Sequence, residues 1–261
     1  MAKPSIPTTK RMPDSEQSYR DRQGKAQNLR DATSIFATTF APPDTSLNAT
    51  NFQMFLTGSV PGQLSVETAN TAVEAFGTAY TNSATARVAL VKTVRAAITQ
   101  AVAYVKSNVA WKSEFKAVKR IGDQLRGVSP PTKVAVPPPA LPGDPPADPA
   151  KPRNQGEQAY VELVAHLANF ITAITACSGY APPGTAITIS QFNTYLSSFR
   201  SINSGLSTLE NQLTTAREKR RRLYYDGTAC LEIKFQAIKN AVKGQYGQAS
   251  AEYGTVKQKS W

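Results

Sequence analysis

Cysteine, histidine and tryptophan are almost missing from this chain, which has two, one and two of them in 261 residues. Two cysteines are too few for a disulfide framework or a four-ligand zinc site. Cys177 and Cys230 are expected to be buried small apolar residues, with a single bridge between them open only in an oxidising place. The lone His166 follows Glu162 by four residues on one face of a predicted helix, and a pair of ligands is an incomplete metal site. A glycine-rich phosphate loop, a serine or cysteine elbow, a His-Glu-x-x-His run and a carboxylate–histidine di-iron pattern are all absent. No catalytic, cofactor-binding or metal-ligating residue is therefore assigned, and no cofactor is expected. An enzyme or cofactor-binding bundle would have to be built from Lys, Tyr and scattered acids in a helical cleft, with Glu162 and His166 as its first candidates.

Also lacking is a run of about 18 apolar residues that would span a membrane, and the start MAKPSIPTTKRMPDSEQSYRDRQGK has no apolar stretch of signal-peptide type. The expectation is a protein made in the cytoplasm, without membrane insertion, that leaves the cell only by lysis or by a route independent of Sec signals. No segment keeps period-two alternation, so strands are not expected.

What the chain does have is proline in one place. Ten of its eighteen prolines fall within residues 128–154, VSPPTKVAVPPPALPGDPPADPAKPRN. Proline fixes φ and lacks an amide donor, so this stretch reads as a semi-rigid spacer. The division it suggests is an N-terminal arm at residues 1–14, a helical module at 15–127, the spacer, and a second module at 155–261.

The two modules share a phrase. FAPPDTSLNATNFQMFL at residues 40–56 returns as YAPPGTAITISQFNTYL at residues 180–196, without a gap, at an offset of 140. The duplication predicts a helix–helix corner in each half. Pro42 and Pro43, or Pro182 and Pro183, stop one helix; Thr50 or Ser190 offers a hydroxyl near the start of the next; Phe52 and Phe192 lead the apolar face that packs the corner. Beyond the first corner, apolar residues from Val66 to Val105 keep helical spacing over about 40 residues, or about 60 Å, unless Thr81-Asn82-Ser83 interrupts them. A last helix carries Trp111 to Leu125 and ends at Gly127. In the second half Tyr160 to Phe170, Leu206 to Leu213 and Leu231 to Tyr246 mark further helices. The fold class is all-α: two tandem antiparallel bundles of about four helices each, joined by the proline-rich linker.

Charge is uneven as well. The net +12 is concentrated late in each half: residues 91–127 hold eight basic and two acidic side chains, and residues 213–261 hold ten and four. Residues 31–90 and 155–212 are slightly acidic. The candidate interaction face is therefore Lys112, Lys116, Lys119 and Arg120 in the first half, with Arg217, Lys219, Arg220, Arg221, Arg222, Lys239 and Lys243 in the second. Such residues can be a solvated helix face, a docking surface for an acidic partner, or a phosphate-backbone contact. No zinc finger, RNP-like strand or helix-turn-helix accompanies them, although Tyr224 and Tyr225 beside the arginine run could stack on bases.

In FAPPDTSLNATNFQMFL, AYVKSNVAWK and IGDQLRGVSPP, and again in KPRNQGEQAYVELVAHLANF and AIKNAVKGQYGQASAEYGTVK, the chain resembles a loose class of uncharacterised bacterial proteins built from small helical modules with Ala-rich long helices and a Pro-Pro corner. The resemblance implies a bundle fold and brings no assigned activity. Two like modules on a stiff spacer favour a non-enzymatic structural protein that self-associates, as the repeating subunit of a filament, tube or sheath, its basic late helices meeting acidic early helices of another copy. The rival is a basic protein that binds DNA, RNA or another polyanion, and replacing Arg217, Lys219, Arg220, Arg221 and Arg222 by Gln is the change expected to abolish that binding.

Overall fold

The computed structural model describes residues 14–58, 64–127, 160–259 and 261, with side chains from residue 17. Nearly all of the expected arm and the whole of the proline-rich stretch lie outside the described residues. Those described form eight α-helices and no strand, so the protein is all-α. The helices are α1 (Asp14–Ser34), α2 (Ala49–Thr57), α3 (Val66–Ser107), α4 (Lys112–Arg126), α5 (Tyr160–Thr175), α6 (Ile189–Tyr224), α7 (Leu231–Tyr246) and α8 (Ala251–Lys257).

Local chemistry accounts for most boundaries. The apolar spacing from Val66 to Val105 becomes a single helix of 42 residues, and Thr81-Asn82-Ser83 does not break it. Helix α4 stops where Gly127 takes φ +73°, a left-handed conformation that costs glycine little, and the Gly127 amide bonds back to the last turn. In both copies of the repeated phrase a 3-10 turn, Thr45–Leu47 or Thr185–Ile187, precedes a helix that begins at residue 49 or 189, so the offset of 140 holds in the backbone. The helix caps differ from expectation. Asn48 Oδ1 accepts from Asn51 N at 2.8 Å, and Thr188 Oγ1 accepts from Gln191 N at 3.1 Å. Thr50 and Ser190 lie two residues too late for that work, because the 3-10 turn places the cap at Asn48 and Thr188.

Two compact units result: Met1–Ala79 with Leu209–Trp261, and Tyr80–Thr208. Each draws on both sides of the proline-rich stretch. In the first unit, Ala26, Leu29, Phe40, Phe52 and Leu56 share a core with Tyr224, Leu231, Phe235, Ile238 and Val242. A smaller cluster of Val73, Leu213 and Ala216 lies in the same unit. In the second, Ile98, Val102, Val118, Ile121 and Leu125 pack with Leu163, Leu167, Phe170, Phe192 and Phe199. Helix α4 comes close to α3 there: a Cβ on Gly122 would stand 2.9 Å from Val102 Cγ2 and 3.3 Å from Ile98 Cγ2, both on stiff β-branched side chains. In each unit, early helices of one half of the sequence thus bury their apolar faces against late helices of the other half.

Among the described helices α3 alone is long and apolar enough, by length and composition, to cross a membrane, with a window of mean hydropathy 1.3 of which 33% is buried inside the protein. The same helix supplies Val94, Ala97, Ile98 and Ala101 to the second core.

Candidate interaction surface

The basic residues divide between the two units. Lys112, Lys116, Lys119 and Arg120 are exposed on α4 in the second unit. Lys119 donates to Asp123 Oδ2 at 2.8 Å, and Arg126 bonds the other carboxylate oxygen. The Lys119 hydrogen bond, assisted by Arg126, holds the Asp123 carboxyl below its ordinary range. Lys112, Lys116 and Arg120 have no acidic partner among the described residues, because the apolar stripe of α4 takes the core side and leaves the cations outside.

In the first unit Arg217, Lys219, Arg221 and Arg222 are exposed on the last turns of α6, and Arg221 pairs with Asp226 at 2.9 Å. Arg220 does not belong with them. It is 4% exposed, with its guanidinium 3.9 Å from the centre of the Tyr19 ring. Leu213, Ala216, Arg220 and Tyr224 are the buried positions of α6 in this stretch, so Arg220 continues the apolar stripe in steps of three and four. That spacing was available in the sequence and was masked by the five charges around it, Arg217, Glu218, Lys219, Arg221 and Arg222.

Helix α7 shows a similar division. Lys243 is exposed, whereas half-buried Lys239 donates to the carbonyls of Lys257 and Lys259 at 3.3 and 3.0 Å and so satisfies the end of α8. Lys234, which periodicity alone did not single out, is 8% exposed and donates to Ser46 Oγ at 2.8 Å.

The tyrosines beside the arginine run are structural. Tyr224 is fully buried; its hydroxyl accepts from Asn70 Nδ2 at 2.9 Å and donates to Tyr19 O at 3.0 Å. Burial pushes its pKa up to about 12. Tyr225 is half-buried, hydrogen-bonded by Arg22, whose guanidinium also lies over the Trp261 ring. Trp261 in turn packs on Phe235 with ring centres 5.2 Å apart. These rings hold α1, α6 and α7 together and do not face outward for stacking on bases.

At the corners, Phe52 and Phe192 are both fully buried, Pro42 is buried, Pro182 is half-buried, and Pro43 and Pro183 are exposed. Tyr180 in the second corner is raised to about 12, chiefly by burial. The residues considered for chemistry do not converge. His166 lines an open groove of about 450 Å³ with Arg120, Gln124, Asn169 and Thr172, while Glu162 is exposed and outside it. No group of three or more His, Cys, Asp or Glu side chains among the described residues is placed to hold a metal ion. Cys177 and Cys230 are buried and free, one in each unit, and burial raises the Cys177 thiol. No family model, curated protein or solved structure matches this chain.

Proposed function

We propose that the protein is a duplicated helical module, its copies joined by the proline-rich linker, and that it acts as a non-enzymatic structural subunit that self-associates into a filament, tube or sheath. The observation that carries the reading is the placement of Lys112, Lys116, Arg217, Lys219, Arg222 and Lys243: all are exposed and, among the described residues, without an acidic partner. Like charges left exposed outside the apolar core of each unit repel within that unit and are offset by an acidic surface outside it. On a second copy, exposed Glu67, Glu162 and Glu210 are candidates for that surface.

Cryo-electron microscopy of the full-length protein at low and high salt, with mass by light scattering, tests the reading. Regular polymers at low salt that shorten as salt rises are expected, since the screening length falls from about 10 Å at 0.1 M to about 3 Å at 1 M. A monomer of 28.1 kDa at every salt concentration would sink it.

The same exposed cations support a second reading, polyanion binding. Its test is replacement of Arg217, Lys219, Arg221 and Arg222 by Gln, with Arg220 left in place because it supports the fold. Loss of salt-sensitive binding to DNA or RNA is expected under that reading. Under the structural one the same change alters polymer length and leaves the subunit folded.

A further inference from the structure

Each compact unit is closed by chain from either side of the proline-rich stretch, and the two closures are alike. In the first unit the first corner is held from α7. Gln245 Oε1 accepts from Ala41 N at 3.0 Å, the Tyr246 and Thr39 hydroxyls are 2.8 Å apart, and Lys234 reaches Ser46. In the second unit the second corner is held from the end of α3 and the turn that follows. The Tyr104 hydroxyl donates to Ala181 O at 3.0 Å, and Trp111 Nε1 donates to Ser178 O at 2.9 Å. Ala41 and Ala181 are the same position of the repeated phrase, one residue before its Pro-Pro pair. The apolar partners follow the same rule, with Phe40 and Phe52 against Phe235 and Ile238, and Phe170 and Phe192 in one core with Val118 and Ile121.

Residues 14–127 and 160–261 are thus complementary halves: each carries a corner and the clasp for the other's corner. None of these contacts requires the two halves to belong to one chain. We propose that this is the assembly interface: the first half of one copy takes the second half of the next, making the same clasps between chains and leaving one unmatched half at each end of a growing polymer. The inference rests on the self-association reading and names its partner surface. A contact in which one surface meets a different surface closes into a ring where the rotation between copies allows it and extends as a filament where it does not; the polymer is the second case. The closed monomer and the polymer contain the same clasps, and the choice between them depends on the effective concentration that the connecting stretch gives to its own second half. Ten prolines fall in that stretch, so its composition as well as its length sets that concentration. Once formed, the exchanged state reverses slowly, because release requires both cores to open.

The test uses the full-length protein with Cys177→Ala and Cys230→Ala. One version adds Thr39→Cys with Tyr246→Cys, and a second adds Tyr104→Cys with Ala181→Cys, so the rest of each clasp remains. Each is treated with a short bismaleimide under low-salt conditions, denatured, and separated by mass, with single-cysteine versions as controls. A covalent ladder in multiples of 28.1 kDa, in both versions and in neither control, is expected. Polymers by light scattering whose cross-links all run within 28.1 kDa chains would overturn the exchange while leaving self-association standing. A monomer by light scattering, cross-linked only within itself, would overturn both.

Discussion

Arg220 and Arg222 are two positions apart on α6 and do opposite work. Arg220 is buried on the Tyr19 ring, and Arg222 is exposed. Arg220→Gln should cost about 2 kcal/mol, since a desolvated cation–π contact is lost and a polar amide takes its place in the core. Arg222→Gln should stay within about 0.5 kcal/mol, as surface changes usually do. Urea denaturation of the two variants separates them. Tyr224 makes a second prediction, in pH. Its pKa is raised to about 12 by burial, against about 10 in the unfolded chain, so the folded form keeps a proton that the unfolded form gives up. The stabilisation from this group is complete below pH 10 and is lost as pH climbs through the folded value, by up to roughly 3 kcal/mol. Tyr224→Phe should flatten the alkaline limb of the stability curve, and a tyrosinate absorbance titration should lose a late-titrating group. Arg220 keeps the spacing of the apolar stripe, yet the charges around it place it, in the sequence, with the exposed cations; its contact with Tyr19 was not legible, because Arg220 and Tyr19 lie 201 residues apart in the chain.

The helices themselves were the most legible part. Apolar periodicity placed α3 and α4, Gly127 placed a stop, and Asp226-Gly227 fell in the break between α6 and α7. The corners were found by their repetition, but their caps were assigned two residues late in each copy, because a 3-10 turn carries no apolar period of its own. The two copies also differ in a way that can be used. In the first, Asp44 accepts from Ser46 N at 2.8 Å and caps the 3-10 turn; in the second, Gly184 holds the same place with no side-chain cap. Gly184 has φ −100° and ψ 138°, close to the −95° and 111° of Asp44, and a Cβ there would meet nothing within 4 Å. Gly184→Asp should therefore stabilise the second corner by about 0.5 to 1 kcal/mol, through a new cap and a less flexible unfolded chain. Thermal unfolding with and without the substitution checks it, and an unchanged or lower midpoint would mean that the two corners are not equivalent in energy.

How the halves meet was the least legible feature. Periodicity states that a helix has an apolar face and says nothing of which other face covers it, and two halves that share a phrase offer each early helix two similar late helices as partners. The proline-rich stretch suggested that each side closes on itself. The contacts group otherwise, with Leu29 and Phe52 in one core with Phe235, and Val118 and Leu125 in one core with Phe170. The consequence can be measured on the whole chain by inserting a site-specific protease sequence within residues 128–154 and cutting it after folding. Both cores then still consist of side chains from both pieces, and separation would expose large buried aromatics such as Phe52, Phe170, Phe192 and Phe235 at about 1.5 to 3 kcal/mol each. The nicked protein should run at the mass of the intact one in native gel filtration, and its pieces should part only in denaturant. Two folded fragments eluting separately without denaturant would mean that each half closes its own core, and the complementary clasps would then be incidental to the fold.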